Sequence, residues 1–91
     1  MENDKKFLER VGEYIGKIVI VKYYDPNNKE TKTERLAVSK ITPSHIEMIM
    51  AYGDVLGIIG LAIPKIECIY SELNNDMIEN PNYTPETGMK L

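Results

Sequence analysis

The side chains able to do covalent or metal chemistry are few: the chain has one cysteine, Cys68, and one histidine, His45. A Cys–His nucleophile requires a thiolate, a base within hydrogen-bond reach and a third group that orients the base. No third group is identifiable here. Zinc requires several convergent Cys, His or carboxylate ligands, and His45 follows Pro43 and Ser44 at the entrance to a predicted strand, a position suited to local backbone contacts or solvent. Cys68 lies in an apolar run, which points to a buried thiol. Among the carboxylates, Asp25 and Asp54 sit in predicted turns and Glu67 on the exposed side of a predicted strand, so no pair is set for general acid–base work. Gly57-Ile58-Ile59-Gly60 lacks the lysine and hydroxyl residue of a phosphate loop. The expectation is no catalytic set, no metal and no cofactor.

Recognition chemistry is better represented. Tyr23 and Tyr24 adjoin the Asp25-Pro26-Asn27-Asn28-Lys29 turn, and Tyr52 precedes Gly53. Exposed tyrosine rings can stack on bases or anchor a peptide. Strand alternation sends Tyr23 and Tyr24 to opposite faces, so at least one of them can serve the core instead. Lys29, Lys32, Arg35 and Lys40 add positive charge to the same region, interrupted by Glu30 and Glu34. The candidate interaction residues are therefore Tyr23, Tyr24, Asn27, Lys29, Lys32, Arg35, Lys40 and Tyr52.

The elements that must position them follow from periodicity. Phe7, Leu8, Val11, Tyr14 and Ile15 recur at helical spacing, predicting a helix from Asp4 to Tyr14 that covers one end of a sheet, with Gly16 as its exit. Lys17 to Tyr24 is rich in β-branched and aromatic residues and predicts a strand. The turn at Asp25 to Asn28 leads to a return strand, Glu30 to Ile41. Ile46 to Ala51 predicts a third strand and Tyr52-Gly53-Asp54 a turn. Leu56 to Ile63 and Lys65 to Ser71 predict two more strands, broken at Pro64 because proline lacks the amide hydrogen of a central ladder. Leu56, Ile59, Gly60 and Ile63 also fit helical spacing, at a cost of about 1 kcal/mol per glycine. Glu72 to Glu79 predicts a short terminal helix beginning near Ser71.

With 91 residues, 43% of them hydrophobic, the chain has room for one core. Residues 1–79 are expected to form one domain and residues 80–91, with Pro81, Pro85 and Gly88, a flexible or weakly docked tail. The longest apolar stretch, Val55 to Pro64, is too short to span a bilayer. No targeting segment is visible, and a cytoplasmic protein without membrane insertion is expected. A lone cysteine excludes an internal disulfide. The net charge of −3 gives no general attraction for nucleic acid.

The fold class is mainly β with an N-terminal helix: a small, strongly curved antiparallel sheet or a closed barrel. From Lys17 to Ser71, the order of strand, polar turn, long return strand and short final strands resembles the SH3-like or Sm-like small β-barrels, and the preceding helix strengthens the likeness to the Sm-like ones. Tyr23-Tyr24-Asp25 and Ile66-Glu67-Cys68-Ile69 also look somewhat like a WYL-type regulatory domain. These resemblances imply binding of proteins, RNA, other nucleic acids or regulatory ligands. The chain departs from them in lacking an Sm-like aspartate and asparagine nucleotide-binding set, a late arginine–glycine pair and any tryptophan. Two functions are carried forward: a non-enzymatic protein-interaction or homo-oligomeric scaffold module, and an Sm-like binder of RNA or single-stranded nucleic acid. In the first, the apolar surplus of Ile46, Met48, Ile49, Met50 and Leu56 to Ile63 is covered by a protein partner or a second copy. In the second, Tyr52 with Tyr23 or Tyr24 stacks a base while Lys32, Arg35 or Lys40 contacts phosphate.

Overall fold

The structure, a computed structural model, describes residues 2–85, without the side chains of residues 2–4 and Tyr52. Helix α1 (Glu2–Gly12) precedes strands β1 (Ile18–Asp25), β2 (Glu30–Ile41), β3 (His45–Tyr52) and β4 (Val55–Ala62). A single 3-10 turn (Ile63–Lys65), β5 (Ile66–Ser71) and β6 (Asp76–Glu79) complete the order. All six strands form one antiparallel sheet in the order β4-β3-β2-β1-β5-β6.

Alternation sorts the strands into two faces. Val19, Val21 and Tyr23 of β1 face the core with Leu36 and Val38 of β2, Ile46 and Met48 of β3, Leu61 of β4 and Ile69 of β5. Phe7, Val11 and Tyr14, spaced on one side of α1 and its exit, close over this face where α1 packs on β6. Beyond Gly12 the chain makes tight turns, with Tyr14 N–H donating to Val11 O at 2.9 Å. Gly16 then turns into β1 at φ 86°, where glycine escapes the Cβ penalty, and its N–H donates to Val38 O at 2.7 Å. The helix therefore ends about half a turn earlier than its apolar spacing suggests, and begins two residues earlier, because Tyr14 continues the same buried stripe from the exit turns.

Register irregularities at Val38/Lys40 and Lys22/Tyr23 bend the sheet. β4 and β1 are three positions apart in the order, which in a flat sheet is about 14 Å at the usual strand spacing. Yet residues of β4 and of the β1–β2 turn line one cleft, so the sheet curls strongly. Of the two expected forms, the curved open sheet is the one present: β4 and β6 stand at opposite edges with no ladder between them. β6 takes the side of β5 that a closing strand would need.

The expected helix over Glu72 to Glu79 is replaced by a turn and β6. Asn75 adopts φ 53°, incompatible with helix but suited to a hairpin, and Asp76 is engaged by Arg10 at 2.6 Å and the Tyr14 hydroxyl at 2.9 Å. Asn74 Nδ2 also donates to that hydroxyl at 3.2 Å, so α1 is tied to the β5–β6 turn. The segment after β6 returns to the sheet. Asn80 is buried, its Nδ2 donating to Ile63 O at 2.8 Å and Ile66 O at 2.9 Å, and its N–H to Glu67 O at 3.0 Å. Thr84 N–H reaches Pro64 O at 2.8 Å. Residues 86–91, the remainder of the expected tail, lie outside the described residues.

Asn80 thus satisfies carbonyls on both sides of the proline-containing turn. Asn80→Ala is expected to lower stability by about 2 kcal/mol, since two buried side-chain hydrogen bonds to Ile63 O and Ile66 O are lost, Ile63 O keeping only the Ile66 N–H; a chemical denaturation curve unchanged in midpoint would contradict this. On the core-facing side of β2, Glu34 has an Oε1 that is buried with no hydrogen-bond partner. Glu34→Met removes that desolvated oxygen and is expected to raise the denaturation midpoint, by a stability gain on the order of 1 kcal/mol.

Candidate functional site

The cleft formed by the curl, about 440 Å³, lies between the β1–β2 turn on one side and the end of β4 with the 3-10 turn on the other. Its polar wall carries Tyr24, Asp25, Asn27 and Lys32, with Lys65 and His45 opposite. Its floor is apolar, from Tyr23, Ile59 and Leu61.

Asp25 organises the turn wall. Its Oδ1 accepts from the Asn27 N–H at 2.9 Å, and its Oδ2 accepts from Asn28 Nδ2 at 2.9 Å and pairs with Lys32 Nζ at 3.0 Å. Lys32 can reach it because β2 returns directly beside β1, pairing Tyr23 with Lys32 and Asp25 with Glu30. Lys29 takes φ 54° to close the loop. The hydrogen bond from Lys32 holds the Asp25 carboxyl below its usual pKa; partial desolvation opposes it, and the Asn27 and Asn28 amides assist. The same hydrogen bond raises Lys32.

On the opposite wall, Lys65 Nζ stands 5.8 Å from the centre of the Tyr24 ring and donates to Pro85 O at 2.8 Å. A cation over a tyrosine face is attracted by the ring quadrupole. Pro64 fixes the turn that delivers Lys65. His45 is held by the β2–β3 turn: its N–H donates to Thr42 Oγ1 at 3.0 Å and its Nδ1 lies 2.7 Å from Ser44 Oγ.

Four of the eight sequence-derived candidates, Tyr23, Tyr24, Asn27 and Lys32, therefore meet in one place. Tyr23 is the partner turned inward, only 5% exposed, while Tyr24 is half-buried on the rim. Lys29 is exposed at the turn tip. Arg35 points from the convex face to Glu72, with its Nη2 at 3.2 Å from Oε2 and a shorter Nη1–Oε1 contact. Lys40 pairs in register with Glu47. Tyr52 closes β3 opposite Val55, and its side chain lies outside the described residues.

Sequence reasoning missed Lys65, and it placed Ile59 and Leu61 only in a general apolar surplus rather than beside Tyr23 in one floor. Lys65 was legible only as the residue after Pro64; its placement over Tyr24 depends on the curl. Cys68 is half-buried rather than buried, because it falls on the face shared with Lys22 and Glu79, which flank it across the ladders. It lines a different cavity from His45, about 460 Å³, beside Lys22, Glu67 and Tyr83. Burial, and secondarily the Glu67 charge, raise its thiol pKa, so at neutral pH the weakly nucleophilic thiol form dominates.

Among the described residues no three His, Cys, Asp or Glu side chains gather as a metal site, and no helix is long and apolar enough to cross a membrane. Comparison with family models, with curated proteins and with solved structures finds no match to the chain.

The Asp25–Lys32 pair gives a pH test of the turn. A folded pKa below the unfolded value, about 3.9 for aspartate, means that the pair stabilises the fold above that value and is lost as pH falls through the folded pKa. At the other end, the raised Lys32 keeps its contribution below the unfolded lysine value of about 10.4 and loses it as pH rises further. Lys32→Met is expected to shift the Asp25 titration upward in a carboxyl-carbon NMR experiment. An Asp25 titration indifferent to this substitution would show that the pair is not formed in solution.

Proposed function

We propose that this protein is a non-enzymatic interaction module built on an open, curved sheet that resembles the small β-barrels, whose cleft between the β1–β2 turn and the 3-10 turn receives an extended segment of a protein partner. The observation carrying this is the convergence of an aromatic rim, Tyr24, with cations at Lys32 and Lys65 and an apolar floor at Ile59 and Leu61. Concave apolar sites with a few placed polar groups are where ligands bind. Aromatic anchors with charged neighbours are typical of the residues that dominate protein recognition. The order of helix, four-stranded meander, 3-10 turn and β5 supports the SH3-like or Sm-like likeness, and β6 is an addition to it.

A protein segment is favoured over RNA by the state of the basic side chains. Lys32 and Arg35 are engaged by Asp25 and Glu72, and Lys40 faces Glu47 across the ladder. A phosphate at Lys32 or Arg35 would have to displace Asp25 or Glu72. Cytoplasmic placement belongs to the same proposal.

A displayed library of extended peptides, selected against the folded domain, tests the cleft. Selected peptides are expected to lose about tenfold in affinity, on the order of 1.4 kcal/mol, with Tyr24→Ala or Lys65→Ala, with circular dichroism confirming that the variants fold. Peptides insensitive to both substitutions, or none selected, would overturn the assignment. Retention of RNA or single-stranded DNA pools at low salt, lost in Tyr24→Ala, would replace it with nucleic-acid recognition.

A further inference from the structure

β4 forms one edge of the sheet and lacks the devices that keep an edge strand from pairing. Val55–Ala62 contains no charged residue and no proline, and all eight residues pair with β3 without a bulge. Val55, Leu56 and Ile58 are 64%, 71% and 75% exposed. On the convex face Ile58 ends a row that runs straight across four strands, Ile18 beside Ala37, Ala37 beside Ile49, and Ile49 beside Ile58.

Among the described residues, neither backbone dihedral nor side-chain crowding requires glycine at Gly57 or Gly60 of β4. Neither has positive φ, and neither sits at a bulge. A Cβ on Gly57 would meet only Met50 Cγ at 3.6 Å, and one on Gly60 only His45 Cδ2 at 4.0 Å, both ordinary contacts. A strand glycine without a bulge or bend marks close approach from outside.

We propose that the occupant of this edge is β4 of a second copy, paired antiparallel about a two-fold axis at Ile58. The backbone permits this register. The two-residue turn at Gly53-Asp54 closes on the Tyr52–Val55 pair, which in such hairpins exchanges hydrogen bonds. The amides of Leu56, Ile58, Gly60 and Ala62 consequently face outward. Pairing Ile58 with its own copy sets Leu56 opposite the second copy's Gly60, and Ile59 opposite its Gly57. Each glycine then receives a large side chain from across the axis, and the two convex apolar rows join into one.

Charge selects the same orientation. The uncharged strand is preceded by Asp54 and followed, after Ile63 and Pro64, by Lys65. Antiparallel pairing brings the second copy's Asp54 opposite Ala62, at the end where His45 and Lys65 stand; parallel pairing would set Asp54 beside Asp54. A pair of this kind presupposes an interaction module but not the cleft as the place where a partner binds, so the two can fail separately.

Sedimentation velocity of the full chain between 10 and 200 µM, in the range of about micromolar affinities, is expected to show a monomer–dimer equilibrium. Ile58→Lys places like charges directly opposite at the axis, and Gly60→Val fills the space claimed by Leu56; both are expected to give monomers with circular dichroism unchanged. Register is read by cross-linking in a Cys68→Ser background. Residues paired by hydrogen bonds across antiparallel strands have Cα atoms about 5.5 Å apart, within disulfide range. Ile58→Cys should therefore oxidise to a covalent dimer, whereas Leu56→Cys should cross-link only to Gly60→Cys. A wild-type chain that stays monomeric at 200 µM, or a dimer unaffected by Ile58→Lys, overturns the proposal. If monomeric protein still binds selected peptides at Tyr24, the cleft stands and the β4 pair falls; if the dimer forms and no peptide binds, the reverse holds.

Discussion

A strand has two sides from which backbone amides and carbonyls can bond, and β5 uses one on β1 and the other on β6. Since β5 has no side left, β4 cannot close onto it. Buried or unpaired backbone groups are costly, so a ladder taken by one strand is effectively unavailable to another. The four residues of β6 therefore set the form of the whole sheet, leaving it curved and open rather than cylindrical. That short strand is held through contacts distant in sequence: Arg10 and Tyr14 bond Asp76, and Asn80, the residue after the strand, bonds Ile63 O and Ile66 O at the proline turn.

The open seam has two consequences. On the concave side, the curl brings the β1–β2 turn towards β4 without sealing the gap, which becomes the cleft. Its walls are stiffened locally, by Asp25 bonding its own turn and by Pro64 fixing the segment before Lys65. The one ion pair there, Asp25–Lys32, is half-buried and holds Lys32 in place, while Lys65 is held by the Pro85 carbonyl and the Tyr24 ring. At the edge, β4 keeps a full row of outward amides flanked by apolar side chains and nothing that repels a neighbour.

Several features were readable from local chemistry alone. The β2 boundaries, Glu30 and Ile41, follow from a polar turn and a change to apolar residues, both short-range signals. The Pro64 break and the Gly16 exit follow from the backbone limits of proline and glycine. The terminal helix failed for a physical reason also present locally: Asn74-Asn75-Asp76 is turn chemistry, but the apolar spacing of Leu73, Met77 and Ile78 imitates a helical stripe. Ile78 is buried as a strand residue facing the core, whereas Leu73 is 84% exposed in the turn and buries nothing. Among candidate site residues, the Tyr23/Tyr24 division was legible from alternation. Which of the two faced inward was not, since both neighbours in sequence are compatible with the core.

By itself, the sequence determined the class of fold and most of its punctuation: a helix, an antiparallel meander, a turn at Asp25 to Asn28 and a break at Pro64. These depend on residues within a few positions of one another, where propensity and dihedral limits act directly. Only the tertiary structure decided that the sheet stays open, that Lys65 stands over Tyr24, that Arg35 leaves the cleft for Glu72, and that Cys68 and His45 occupy different cavities. Those outcomes depend on which strand takes the free side of β5 and on how far the sheet bends. Both are set by contacts between residues tens of positions apart, for which periodicity carries no signal.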